Sequence, residues 1–304
     1  MRAKFLELAF LTKVEKSNLN ASGTEGNVTI LKKTEEIDGG VRPFISGASI
    51  KYAIKDYLKE IGLPLSPIKR KTKTAQITTE CDPEKYIDDD LFGYMDTEKG
   101  VRRIAPVKTN GMISIFERKG DLNRGVRFDP EGKEHSMYDL EVATTVFRSN
   151  WAIELDRIGH YNDEQEFKEG KVGDFINAKE KEKRVKALLG AIFNLWSRVK
   201  QTNNLTQLQP EVMIVVMRDD KSLTIGDKLR VDQQLKLDCN ALGEALRYHN
   251  DRVKEAYLGF FASFIKNVDE INKMLANALN KRLRIMELVE LKRLLLSEAF
   301  NFYA

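Results

Sequence analysis

Apolar side chains recur at helical spacing directly after the segment 42–51, whose sequence is RPFISGASIK. Positions i, i+3, i+4, i+7, i+8 and i+11 lie on one face of a helix, so this spacing predicts an amphipathic helix. The apolar positions are Ile50, Ala53, Ile54, Tyr57, Leu58 and Ile61. Ser46 is the expected N-cap, and Gly62 with Pro64 is expected to end the helix.

The remaining periodic segments predict a small mixed core. Residues 5–11 are nearly all apolar apart from Glu7, which is typical of a central strand. A second amphipathic helix is predicted at 179–199, and further strands at 112–116, 142–155 and 212–217. The order strand–helix–strand–strand–helix–strand is that of the ferredoxin-like or RRM-like core, here with long insertions. The predicted fold class is therefore α+β.

We expect one RRM-like palm over residues 1–239 and a helical C-terminal extension, 240–304, packed on the same domain. Within the palm, residues 117–141 are rich in glycine and charge and predict a hairpin, which stands outside the core. A polar loop with Gly23, Gly26, Gly39 and Gly40 is expected before the first helix, and residues 66–80 are expected to form an extended or mobile linker.

Composition excludes several classes of protein. Two cysteines in unrelated contexts, Cys81 and Cys239, argue for a reducing compartment and against a disulfide framework. The three histidines do not stand at ligand spacing, so we expect no metal and no cofactor. Because no segment approaches the run of about 20 apolar residues that a membrane span needs, the protein is expected to be cytoplasmic, with no membrane partner.

Positive charge is concentrated in the predicted loops. The net charge is only +4, yet residues 99–128 hold eight basic side chains against two acidic ones. Lys69, Arg70, Lys71 and Lys73 form a second basic segment. Arginine and lysine on loops suit contacts to nucleic-acid phosphates, and so does a helix start such as Ser46 with Arg42 and Lys51 beside it. Solvated surface charge and an ordinary capped core helix are the alternatives.

One acidic run raises the possibility of catalysis. Asp88, Asp89 and Asp90, with Glu84 nearby, could hold Mg²⁺ and activate water. However, three consecutive side chains cannot all face one site, and an acidic turn before Leu91 explains them equally well. Because no phosphate-binding loop, nucleophile elbow or dinucleotide fingerprint occurs, we expect no enzymatic activity.

An ordered set of segments resembles the backbone subunit of CRISPR-associated Cascade complexes, in the RRM-like RAMP superfamily. The set resembles the DevR-like type I-B branch most, although type I-A relatives share much of it. It comprises RPFISGASIK, DLFGYM (90–95), RRIAPVKTNGMIS (102–114), FRSNWAIELDRIG (147–159) and the helix and turn at 183–210. The aromatic pattern by which RRM sheets stack bases is missing, so stacking on the sheet face is not expected.

The resemblance implies a set of RNA-binding residues and a thumb. The implied contacts to guide-RNA phosphates are Arg42, Ser46, Ser49, Lys51, Arg102, Arg103, Lys108, Arg198, Lys200 and Gln201. Residues 117–141 would be the thumb, and Phe128 or Met137 could wedge between bases. The alternative is that these two side chains simply tuck under the hairpin.

The function implied by the resemblance is a non-catalytic scaffold for CRISPR RNA in antiviral defence. Copies of the chain would polymerise along the guide as a helical filament, bind other Cascade subunits, and help present the guide to target DNA. The alternative is a metal-dependent endoribonuclease of the same RRM-like superfamily.

Overall fold

The computed structural model describes residues 2–70, 77–118, 120–128, 132, 136–167, 170–196, 205–248, 250–276 and 278–303, with the backbone alone at 127 and 136. The helices are α1 (Gly47–Glu60), α2 (Ile87–Phe92), α3 (Ala178–Phe193), α4 (Cys239–Tyr248), α5 (Val268–Leu275) and α6 (Leu288–Leu296). No helix among these described residues is both long enough and apolar enough to cross a membrane.

The first strands are β1 (Phe5–Ser17), β2 (Ala21–Glu25), β3 (Val28–Leu31), β4 (Lys33–Glu35), β5 (Val41–Ile45), β6 (Lys69–Arg70), β7 (Ile77–Thr78), β8 (Tyr94–Asp96) and β9 (Val101–Arg103). They are followed by β10 (Val107–Ser114), β11 (Asp121–Arg127), β12 (Ser136–Glu154), β13 (His160–Tyr161), β14 (Gly173–Asp174), β15 (Val212–Arg218), β16 (Val253–Phe260) and β17 (Leu283–Glu287).

The centre of the main sheet has the strand order β15-β1-β12-β10, and all three neighbouring pairs are antiparallel. Numbered by their place in the predicted core, these strands lie in the order 4-1-3-2. α1 connects the first strand to the second, and α3 connects the third to the fourth. This is the ferredoxin-like arrangement, and the predicted α+β class is confirmed.

Side-chain alternation along β1 explains why the sheet is covered on both faces. Leu6, Leu8 and Phe10 pack in one cluster with apolar residues of α1 and α3. Ala9 and Leu11 point the other way, into a second cluster with residues of α4, α5 and β16. Because successive residues of a strand face opposite sides, an almost uninterrupted apolar strand is what a two-sided core requires.

The expectation that residues 240–304 are helical is wrong at two segments. β16 pairs antiparallel with β15, and β17 pairs parallel with β16, so both extend the main sheet. Both strands alternate with short helices, and short apolar runs of this kind do not distinguish a strand from a helical face. The division of the chain at 239/240 stays a prediction.

Three insertions also differ from or refine the sequence prediction. Residues 21–35, expected as a loop, contain β2, β3 and β4. The proposed linker contains the short hairpin of β6 and β7. The predicted hairpin at 117–141 is formed by β11 and the first part of β12, paired from Asp121↔Val142 to Arg127↔Ser136.

Candidate functional site

The start of α1 is the best-defined feature among the predicted contacts. Ser46 is the N-cap, and its Oγ accepts a hydrogen bond from the Ser49 backbone N–H at 3.3 Å. The backbone N–H of Ser46 in turn donates to Asn20 Oδ1 at 2.8 Å. Since the first backbone N–H groups of a helix lack intrahelical acceptors, this capped start presents donors and the positive end of the helix dipole.

Two glycines bring the start of α1 against strand β10. A Cβ added at Gly47 would lie 2.8 Å from the Thr109 carbonyl oxygen. Gly111 has a φ of +85°, and a Cβ there would lie 2.1 Å from the Ile45 carbonyl oxygen. Both distances are shorter than a carbon–oxygen contact allows, so this packing requires glycine at both positions. The segments RPFISGASIK and RRIAPVKTNGMIS therefore form one backbone junction.

Lys51 is a cation of this junction that remains available. Its Nζ lies 5.6 Å from the centre of the Phe92 ring, and it makes no ion pair with a carboxylate of the described chain. Burial, and then the neighbouring charge of Lys55, lower the pKa of Lys51. Because an anion bound here would offset both unfavourable effects, the electrostatics of Lys51 favour an anionic ligand.

The other predicted surface contacts have different surroundings. Arg42 donates to Asp38 Oδ2 at 2.7 Å and to the Ile115 carbonyl at 2.8 Å. Lys108 is half exposed but forms an ion pair with Glu154. Arg102 is exposed on β9, where it lines a surface cavity with Met95 and Gln165. Arg198, Lys200 and Gln201 lie outside the described residues.

Arg103 does not belong to this surface. It is 3% exposed, and its guanidinium pairs with Asp90 Oδ1 at 2.6 Å and with Glu166 Oε2 at 2.7 Å. It also donates to the carbonyls of Asp90, Arg157 and His160. Every N–H of the guanidinium donates to a protein acceptor, so Arg103 is not available to contact an RNA phosphate and its prediction as an RNA contact is wrong.

The three consecutive aspartates are buried in α2 and serve different partners. Asp88 binds Lys55 and the backbone N–H of Ser66, and Asp89 accepts from the backbone N–H of Asp82. Asp90 pairs with Arg103 and with Arg184 Nη1 at 2.7 Å. Within the described residues, no group of three or more His, Cys, Asp or Glu side chains has a geometry that could hold a metal ion.

The hairpin of β11 and β12 presents apolar side chains to solvent. Val126 lies opposite Met137, and these side chains are 56% and 57% exposed. Phe128, the residue after β11, is 74% exposed. Neither Phe128 nor Met137 therefore tucks under the hairpin in the isolated chain. Insertion between bases stays a prediction.

Sequence reasoning missed several residues that shape the site. Asn20 reaches the start of α1 from 26 positions upstream, and nothing in the local sequence marks this contact. No local pattern marks Glu166, although it completes the ionic cluster around Arg103. Gly111 could have been found, because a glycine inside a strand pattern often marks a bulge or a close backbone approach.

Comparisons with known proteins agree with this architecture. A family model described as "CRISPR-associated negative auto-regulator DevR/Csa2" matches residues 9–225. A chain of a solved "CRISPR RNA-guided surveillance complex, pre-nicking" is similar with a TM-score of 0.65 at 12% identity, covering 97% of this chain and all of that one. A chain of a "CRISPR RNA-guided surveillance complex" gives 0.63 at 15%, with the same coverage. No curated protein matches the sequence.

Proposed function

Because the chain belongs to the DevR/Csa2 family of CRISPR-associated proteins, we propose that it is a non-catalytic scaffold that binds CRISPR RNA through its phosphates. Copies would assemble along the guide as a helical filament, together with other Cascade subunits, and help present the guide to target DNA in the cytoplasm. The similarity to chains of RNA-guided surveillance complexes supports this proposal through the fold alone.

The observation that carries the proposal is the chemistry at the start of α1. Backbone donors of the first turn and the hydroxyls of Ser46 and Ser49 lie at the junction held by Gly47 and Gly111, and the half-buried Lys51 follows on the same helix, beside Phe92. A phosphate can accept from all of these groups without any contact to a base. Such a site holds RNA whatever its sequence, as a subunit that carries variable guides must.

Three other basic residues could add phosphate contacts. Arg102 is exposed and makes no ion pair with a described residue, so it is available to a phosphate. Arg42 and Lys108 can contribute only if an RNA phosphate shares them with Asp38 and Glu154. The endoribonuclease alternative has no specific observation in its favour, because each of Asp88, Asp89 and Asp90 has a structural partner.

The proposal is tested by measuring how salt affects binding to a short single-stranded RNA. Lys51→Ala should weaken binding to RNAs of unrelated sequence by a similar factor and reduce the slope of log Kd against log salt by roughly one unit. Lys59→Ala is the matched control, because Lys59 is exposed in the last turn of the same helix. Equal affinity and equal slope for both variants would remove Lys51 from the interface.

A second measurement concerns the ligand itself. The chain purified from its own host should carry short RNA of uniform length. Absence of any bound RNA, together with failure to bind single-stranded RNA at low salt, would refute the proposed function as a whole.

A further inference from the structure

An apolar groove lies on the face of the main sheet opposite α1 and α3. Ala9 on β1 and Ala152 on β12, diagonal to each other across the two paired strands, line its base. Asn110 and Asn150 line one side, and the loop after β15 lines the other with Leu223 and Gly226. The cavity has a volume of about 390 Å³, which is at the lower end of the roughly 300–1,000 Å³ typical of small-ligand sites.

The loop that forms one wall is held in place by a buried carboxylate. Glu7 Oε1 accepts hydrogen bonds from the backbone N–H groups of Thr224 and Ile225, each at 2.7 Å. Its Oε2 pairs with Arg218 Nη2 at 3.0 Å. Ile225 is itself fully buried in the second core cluster. The groove is therefore formed before any ligand arrives.

The two asparagines give the groove an incomplete set of hydrogen bonds. Asn110 Oδ1 accepts from the backbone N–H of Asn150 at 3.3 Å. Asn150 Oδ1 is buried and accepts no hydrogen bond from any residue that the structure describes. A buried acceptor without a donor costs free energy, so this atom favours a ligand that brings an N–H or O–H group.

The charges around the groove favour a ligand whose neutral part lies inside the groove and whose negatively charged group lies at its edge. Inside, Glu7 is matched by Arg218; at the edge, Glu154 is shared by Lys108 and Lys221. A free carboxylate or phosphate inside the groove would face no unpaired cation among these groups. A neutral ring can fill the apolar floor while its attached phosphate stays near the lysines of the edge.

The groove and the start of α1 share one residue of β10, although the body of α1 packs on the other face of the sheet. Thr109 lines the groove, and its carbonyl oxygen is the atom that faces Gly47 at the start of the helix. One strand residue therefore separates the apolar groove from the donors proposed to hold a phosphate. We therefore expect a single-stranded RNA bound at the helix start to place an adjacent nucleotide at the groove.

We propose that this groove accepts one nucleobase of the single-stranded RNA that is held at the start of α1; the inference rests on the proposed function. The base would lie on Ala9 and Ala152, and its edge would donate to Asn150 Oδ1 and contact Asn110. Asparagine amides are suited to base edges. Recognition in this way needs no aromatic stacking partner on the sheet, which the sequence does not supply.

Photocrosslinking tests the position of the base. An RNA of eight nucleotides containing 4-thiouridine, bound to the full chain and irradiated, should crosslink to peptides that contain residues 108–110 or 223–226. Leu223→Ala combined with Asn110→Ala removes an apolar contact and a hydrogen-bonding group, and should lower affinity for the same RNA about ten-fold. Because both side chains are exposed, the double variant should melt at the temperature of the wild type. Val289→Ala, an exposed apolar change on α6, is the control and should bind normally.

Each outcome decides between the base and other occupants. Crosslinks confined to peptides around 46–51, or unchanged affinity of the double variant, would overturn the inference and leave the proposed function standing. Normal binding to the short RNA with loss of assembly on a long RNA would assign the groove to a neighbouring copy, which also overturns it. A wild-type chain that binds no RNA would refute the proposed function first.

Discussion

Replacing Arg103 by alanine should destabilise the fold strongly, although Arg103 stands in a basic segment that suggests a surface role. Its guanidinium makes five hydrogen bonds, two to carboxylates and three to backbone carbonyls. Arg103→Ala would leave these buried acceptors without donors. Asp90 would keep Arg184, and Glu166 would keep Arg157, so the carboxylates are only partly compensated.

The expected cost can be bounded from this geometry. Removing one partner of a buried ion pair costs about 3–5 kcal/mol. For a chain of this size, 1 kcal/mol corresponds to a change of roughly 2 °C in Tm, so the variant should melt about 6–10 °C below the wild type. Arg103→Lys should lose less, since it keeps the charge but cannot form the forked contacts.

Arg102→Ala is the matched control, because Arg102 is the preceding residue of β9 and is exposed. An exposed substitution of this kind usually changes stability by less than about 0.5 kcal/mol. Circular dichroism gives the free energy of unfolding of both variants during urea denaturation and their Tm during heating. Equal stability of the two variants would refute the assignment of Arg103 to a buried ionic cluster.

Two further predictions concern assembly and chemistry. Replacing residues 120–135 by a short Gly-Ser turn should leave Tm almost unchanged, because β11 has an exposed apolar face and no core of its own, but should abolish regular filaments on guide RNA in electron micrographs. Normal filaments would exclude a thumb, and a large fall in Tm would place the hairpin in the core. Purified chain incubated with Mg²⁺ or Mn²⁺ should leave guide and target RNA intact on denaturing gels, and metal-dependent cleavage of either RNA by the wild-type chain would favour the nuclease alternative.

The parts of the fold with long periodic patterns could be predicted from the sequence. Ile50, Ala53, Ile54 and Leu58 are buried as the spacing of α1 predicts, and Ser46 caps the helix. Three core strands, β1, β12 and β15, could be located because their apolar runs are long, and their order along the chain with the two helices indicates the ferredoxin-like core. In contrast, β16 and β17 are short strands between short helices, where apolar runs do not distinguish the two structures.

The candidate site was less predictable, because basic residues look alike in a sequence whatever their burial. Arg102 and Arg103 are neighbours on one strand, yet alternation sends one to solvent and the other into contact with Asp90. The carboxylates that bury Arg103 come from 13 and 63 positions away, so no local pattern reveals them. Lys51 could be located because a capped helix start is a local feature.

Assembly along RNA through phosphate contacts should depend on the length of the RNA and not on its sequence. Mass photometry of the chain on single-stranded RNAs of increasing length tests it most directly. The mass of the complex should rise in steps of one 34.8 kDa subunit, added at a fixed interval of nucleotides and independent of sequence. One bound copy whatever the RNA length, or no bound copy at low salt, would contradict it.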